Sequence, residues 1–225
     1  MKKSLYIGIL FSICILVLVG CSKNDDVITL KEKNKKDLDY LDIQLFQVVS
    51  KLDNSDVNWE EIKVDLETAY SSYSTIVLDL YTLGANNDDI LMLNQNFDRT
   101  IIAIKEKNKS NLLKYLAKMY ELLPKYIDAY NSNNPELYIK YTKASVLNGY
   151  YYSEIDEWTK VNENLLEAEA YYKNIVNDLS FLENREDKIN IAYITLKELQ
   201  NSVNLKNKEI FLLKYKILIK ELESI

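Results

Sequence analysis

The sequence predicts an all-α protein, and three observations carry that prediction. Glycine and proline are scarce, at four and two residues in 225, whereas folds built on sheets need far more turn residues. Apolar residues recur at helical spacing, as in Trp59, Leu66, Ala69, Tyr73, Ile76 and Leu80, one stripe of an amphipathic helix. Leu, Lys, Glu, Ile and Tyr are abundant in place of turn residues. The predicted architecture is two tandem, duplicated, antiparallel helical-bundle units of about four helices each, after a cleaved signal peptide and a short tether.

At the N-terminus, Lys2 and Lys3 precede an apolar segment from Leu5 to Val19, closed by Leu18-Val19-Gly20-Cys21. A positive start, an apolar centre and a small residue before the cut make a secretory signal. The apolar segment is about 15 residues, short of the roughly 18 needed to span a bilayer. A cysteine directly after the small residue resembles the lipobox of bacterial lipoproteins. The resemblance implies cleavage between Gly20 and Cys21, a diacylglycerol on the Cys21 thiol and a further acyl chain, such as palmitate, on its amine. It places the chain on the extracytoplasmic face of the cell membrane, lipid-anchored. Beyond these lipids no cofactor is implied. Scarce arginine beside abundant Lys and Asn points to a Gram-positive source with an AT-rich genome.

Composition removes several function classes. The chain carries 28 basic and 34 acidic residues, and losing Lys2 and Lys3 with the signal takes the net charge from −6 to −8. Such a surface repels phosphate backbones, so nucleic acid is not an expected partner. Cys14 leaves with the signal and Cys21 is modified, so no thiol remains for a disulfide, metal or nucleophile. Histidine is absent, which removes the usual metal ligand and general base together. Neither catalysis nor a metal site is expected.

The elements follow in order. Residues 1–20 are the signal and 21–36, without periodicity, the lipidated tether. Helices are predicted over 37–52, 56–83, 88–107 and 110–131, then 135–152, 155–182, 187–206 and 209–224. The two sets make unit 1 (37–131) and unit 2 (132–225), divided at Asn131-Ser132-Asn133-Asn134-Pro135, where Asn134 can cap a helix beginning at Pro135. Asp56 or Asn58 can cap the second helix; Asp88 and Asp187 sit where caps would start the third and seventh. Pro124 should kink the fourth helix or end it early.

The units are related at an offset of 99 residues. Trp59 matches Trp158, Leu66 matches Leu165, Tyr73 matches Tyr172, and Lys107-Asn108-Lys109 matches Lys206-Asn207-Lys208, among 14 identities in the 51 ungapped pairs from 59 to 109. Beyond that tripeptide Leu112-Leu113-Lys114-Tyr115 aligns with Leu212-Leu213-Lys214-Tyr215 one residue out of step. That slip predicts a turn near 108–110 and 207–209.

Tyrosine is in surplus, at 18 residues. Tyr126, Tyr130, Tyr138 and Tyr141 flank the division between the units and Tyr151 follows. A large apolar ring with a polar tip suits partner or ligand surfaces, while packing between the units is the plainer reading. Trp59 and Trp158 fall on apolar stripes as core anchors. The acidic clusters Asp25-Asp26, Glu60-Glu61, Asp88-Asp89 and Glu154/Asp156/Glu157 lack calcium-loop spacing and suit helix starts.

The body resembles all-helical lipoproteins of Gram-positive bacteria in which a tryptophan-led amphipathic helix is repeated, and this resemblance implies no particular activity. The expected function is a membrane-anchored interaction module for a protein or cell-wall partner. The alternative is a receptor that hands a small ligand to a transporter, using a tyrosine-rich cleft between the units.

Overall fold

The computed structural model describes residues 32–52, 56–82, 84–130 and 135–225, and all regular structure among them is helical. The signal segment, Cys21 and most of the tether lie outside the described residues. Helix α1 covers 32–52, so it starts before position 37, within the stretch read as tether. Leu38, Leu41, Leu45, Val48, Val49 and Leu52 give it a buried stripe. Its first turns are held too: Asn34 is buried, and Lys33 lies 3.8 Å from Asp79 on the following helix.

Helix α2 (Trp59–Thr82) starts where the Asn58 side chain accepts from the Glu61 N–H at 3.3 Å. Glu60 and Glu61 occupy its first turn, where carboxylates complement the helix dipole. Helix α3 (Asn87–Lys105) is capped by Asn86, not Asp88, which lies inside the first turn. The Asn86 oxygen accepts from the Asp88 N–H at 2.8 Å. Helix α4 (Lys109–Tyr130) contains Pro124 but does not stop there. Leu122, Leu123, Tyr126 and Ile127 are buried on both sides of the proline, and that packing outweighs the one backbone hydrogen bond lost.

Helix α5 (Pro135–Glu154) begins at its proline, as expected. Helix α6 (Trp158–Val176) ends before the predicted 182, because Asp178 opens a new turn. Its carboxylate accepts from the Phe181 N–H at 3.1 Å and starts the short α7 (Leu179–Leu182). Helix α8 (Glu186–Ser202) has Arg185 at its cap position and Asp187 in its first turn; a 3₁₀ segment (Val203–Leu205) extends it. Helix α9 (Lys208–Ser224) closes the chain.

Helices α2, α3 and α4 start 99 residues before α6, α8 and α9 respectively. Lys107 and Lys206 both take left-handed backbone, φ 51° and 48°. Asn108 and Asn207 then cap the next helix alike, accepting from the N–H groups of Asn111 and Ile210 at 3.0 Å each. The one-residue slip expected after this turn is absent. Leu112, Leu116, Met119, Tyr120 and Leu123 are buried, as are Phe211, Tyr215, Leu218, Ile219 and Leu222, in unbroken step. Leu213, matched by sequence to the fully buried Leu113, is 62% exposed. At an offset of 99 these buried positions of the two helices coincide, and at an offset of 100 most do not.

Neighbours in sequence pack as antiparallel neighbours in space, as short connections require. Tyr73 of α2 stacks on Phe97 of α3 at 5.2 Å, and Phe46 of α1 meets Tyr120 of α4 edge-on at 5.7 Å, closing the first group. Tyr150 of α5 and Tyr215 of α9 close the second at 4.6 Å. Helix α5 also packs on α4 and receives ion pairs from α1, so one apolar core runs through both groups. Each fully buried Leu or Ile contributes about 1.5–3 kcal/mol to it.

Candidate functional site

Three polar stripes meet where α4 faces the α5–α6 pair. On α4 they are Lys114, Lys118, Glu121 and Lys125, spaced four, three and four, hence one face of the helix. On α5 they are Tyr141, Ser145, Asn148, Tyr151 and Tyr152, and on α6 Asn164, Glu167 and Tyr171. Together they line a cleft of about 440 Å³, within the range of small-molecule sites.

The cleft has an aromatic wall. Tyr141 and Tyr171 stack with centroids 4.8 Å apart and planes 17° from parallel; Tyr151 and Tyr152 lie 4.9 Å apart and tilted. The Tyr171 hydroxyl donates to Glu167 at 3.5 Å, and the Ser145 hydroxyl donates to the same carboxylate at 3.3 Å. Burial pushes the Tyr141 phenol up to about 12, and raises Tyr151 and Tyr171 as well. All three therefore remain neutral hydroxyl groups at physiological pH, able to donate and accept. Among the described residues neither Lys118 nor Lys125 has a carboxylate partner.

The tyrosines singled out in the sequence divide between cleft and core. Tyr141 and Tyr151 line the cleft. Tyr138 is half-buried and packs against the core. Tyr126 is no surface residue: it is 3% exposed, lies toward Tyr73 of α2 and Asp89 of α3, and burial raises its phenol pKa strongly. Because Pro124 leaves α4 unbroken, Tyr126 stays on the same inward face as Leu122 and Leu123. The Tyr130 side chain lies outside what the structure describes, as do Gly20 and Cys21.

Trp158 is buried against Phe211, edge-on at 6.1 Å, and Trp59 packs half-buried against the core. The acidic cluster after α5 is engaged internally: Lys208 lies 2.8 Å from Asp156, and Lys109 lies 3.8 Å from Glu154. Among the described residues no group of three or more carboxylates stands ready to hold a metal ion. None of the described helices is long and apolar enough to cross a membrane. Reading the sequence missed Lys114, Lys118, Lys125, Asn148, Asn164 and Tyr171. The lysine spacing along α4 was visible, but only tertiary packing brings α6 opposite that stripe. Protein-family models, curated proteins and solved structures give no match to this chain.

Proposed function

We propose that the chain is a non-catalytic binding module of the bacterial cell envelope, held outside the membrane by lipid on Cys21. In this reading it is built from two related helical units, with the cleft between α4 and the α5–α6 pair as its contact surface. The observation that carries the reading is the cleft itself: stacked tyrosines, uncommitted lysines and amide side chains converge there from three helices. The matching helix starts and the paired Lys107/Lys206 turns support the relation between the units. The histidine-free, thiol-poor composition supports the absence of catalysis. The lipobox-like Leu18-Val19-Gly20-Cys21 supports the anchor.

The size of the cleft also favours the second reading, a receptor that passes a small ligand to a transporter. Two measurements test the proposal. Replacing Cys21 with Ser should move the protein from the membrane fraction to the medium; retention in the membrane would remove the anchor. A photo-crosslinking residue at Asn164, in the cleft, should give an envelope adduct in cells that the same residue at Leu78, on the exposed outer face of α2, does not. Equal labelling at both positions, or none at either, would remove the cleft as the contact surface.

A further inference from the structure

We infer that the cleft between α4 and the α5–α6 pair takes an anionic saccharide, a sugar ring bearing a carboxylate or phosphate group. The inference rests on reading this cleft as the binding surface and adds the class of its ligand. Three features of the lining select that class together.

The first is charge. The chain as a whole is acidic, net −6, yet this lining sets Lys114, Lys118 and Lys125 against only Glu121 and Glu167. Glu167 is already engaged by Ser145 and Tyr171, while Lys118 and Lys125 have no carboxylate partner among the described residues. An anion placed there gains charge-assisted hydrogen bonds without displacing an existing pair.

The second is the aromatic wall. Tyrosine offers a flat apolar face with a hydroxyl at its edge. That pairs with a sugar ring, which shows C–H groups on its faces and hydroxyls around its rim. A bare inorganic anion would use the lysines and leave the rings idle. The third is the set of neutral polar groups. Asn148, Asn164 and Ser145 supply both donors and acceptors, as hydroxyls require. Apart from Ala144 the lining has no aliphatic side chain, so the aliphatic anchors of a peptide would meet only tyrosine rings edged with hydroxyls, whereas a sugar ring uses both.

The test is calorimetric titration of the full chain, kept in mild detergent, with four probes: glucuronic acid, glucose 1-phosphate, glucose and inorganic phosphate. The two acidic sugars should bind at least tenfold more tightly than glucose or phosphate, and more weakly as salt rises. Whichever acidic sugar binds better identifies the anionic group. Exchanging the exposed Lys118 and Lys125 together for Ala should lower that affinity about tenfold and bring it close to that of glucose. Tyr171→Leu should erase the preference over inorganic phosphate. Glucose binding as well as glucuronic acid, phosphate binding as well as glucose 1-phosphate, or lysine variants that keep full affinity would each overturn the inference. If neither acidic sugar binds while the Asn164 crosslinker still gives its cleft-specific adduct, the ligand class is wrong and the cleft remains the contact surface.

Discussion

The Tyr172 hydroxyl on α6 donates to the Ile189 carbonyl on α8 across 2.7 Å. Tyr73, 99 residues earlier, is as deeply buried and stacks on Phe97, but its hydroxyl meets no hydrogen-bonding group among the described residues. Burial raises both phenol pKa values strongly. A bonded buried hydroxyl contributes about 1 kcal/mol net, and an unbonded one is a desolvation cost of similar size. Tyr172→Phe should therefore lower stability in urea by about 1 kcal/mol. Tyr73→Phe should be neutral or stabilising, and the reverse ranking would refute this difference.

Glu169 is buried on α6 and gathers Lys197, Gln200 and Lys173, each at 2.9 Å, with the Tyr193 hydroxyl at 3.1 Å. The bond from Lys197 leads in pulling its pKa from 4.5 down to about 2. A carboxylate whose folded pKa is depressed stabilises the fold above its unfolded pKa and loses that contribution as pH falls toward the folded value. The window is therefore pH 4.5 down to about 2. The contribution is at most about 3 kcal/mol, reduced by the solvent around the lysine heads. Glu169→Gln should flatten the fall of the thermal midpoint across that window; an unchanged slope would place the acid sensitivity elsewhere.

Lys140 of α5 reaches back to α1, 2.8 Å from Asp42 and 3.0 Å from Asp39. Burial alone would lower its pKa, but the Asp42 and Asp39 carboxylates together outweigh it and hold the ammonium above its ordinary value. Asp42 is nearly inaccessible and also faces the buried Tyr120 phenol, whose pKa it helps to raise after burial itself. Removing one partner strands the other. Lys140→Met should cost about 3–5 kcal/mol, and adding Asp42→Asn should recover most of that loss. Additive losses in the double-mutant cycle would show that the two residues act separately.

Two glycines should respond in opposite directions to alanine. Gly149 lies mid-helix in α5, and a methyl group there would touch Leu165 at 3.5 Å, an ordinary contact. Gly149→Ala should gain up to about 1 kcal/mol from helix propensity. Gly84 has open space around it but a φ of +83°. Gly84→Ala should lose about 1 kcal/mol, because an L side chain is strained in that backbone region. Chemical denaturation of both variants checks the pair.

Helix existence was legible in the sequence because the apolar stripes were long and regular, as from Trp59 to Leu80 and its counterpart from Trp158. What local reasoning missed follows from packing. Pro124 was read as a kink or an early end because its effect on the backbone is local, whereas the burial of Leu123 and Ile127 carries the helix on to Tyr130. The identity between Leu112-Leu113 and Leu212-Leu213 does not extend to their burial, because letters carry no helix phase. Tyr126 and Tyr141 looked equivalent in the sequence; one faces α2 and α3 and the other stacks on α6. A tyrosine-rich cleft was one expectation of the sequence, but the lysine edge of the cleft between α4 and the α5–α6 pair was not, since no periodicity within α4 states what lies opposite.

Helix α1 touches both groups: Phe46 reaches α4, Lys51 pairs with Glu61 at 2.6 Å and with Asp65 on α2, and Asp39 and Asp42 hold α5. Neither four-helix set can melt without disturbing this common strut. Heat should accordingly take the body apart in one cooperative transition, and two separate transitions in calorimetry would refute the coupling.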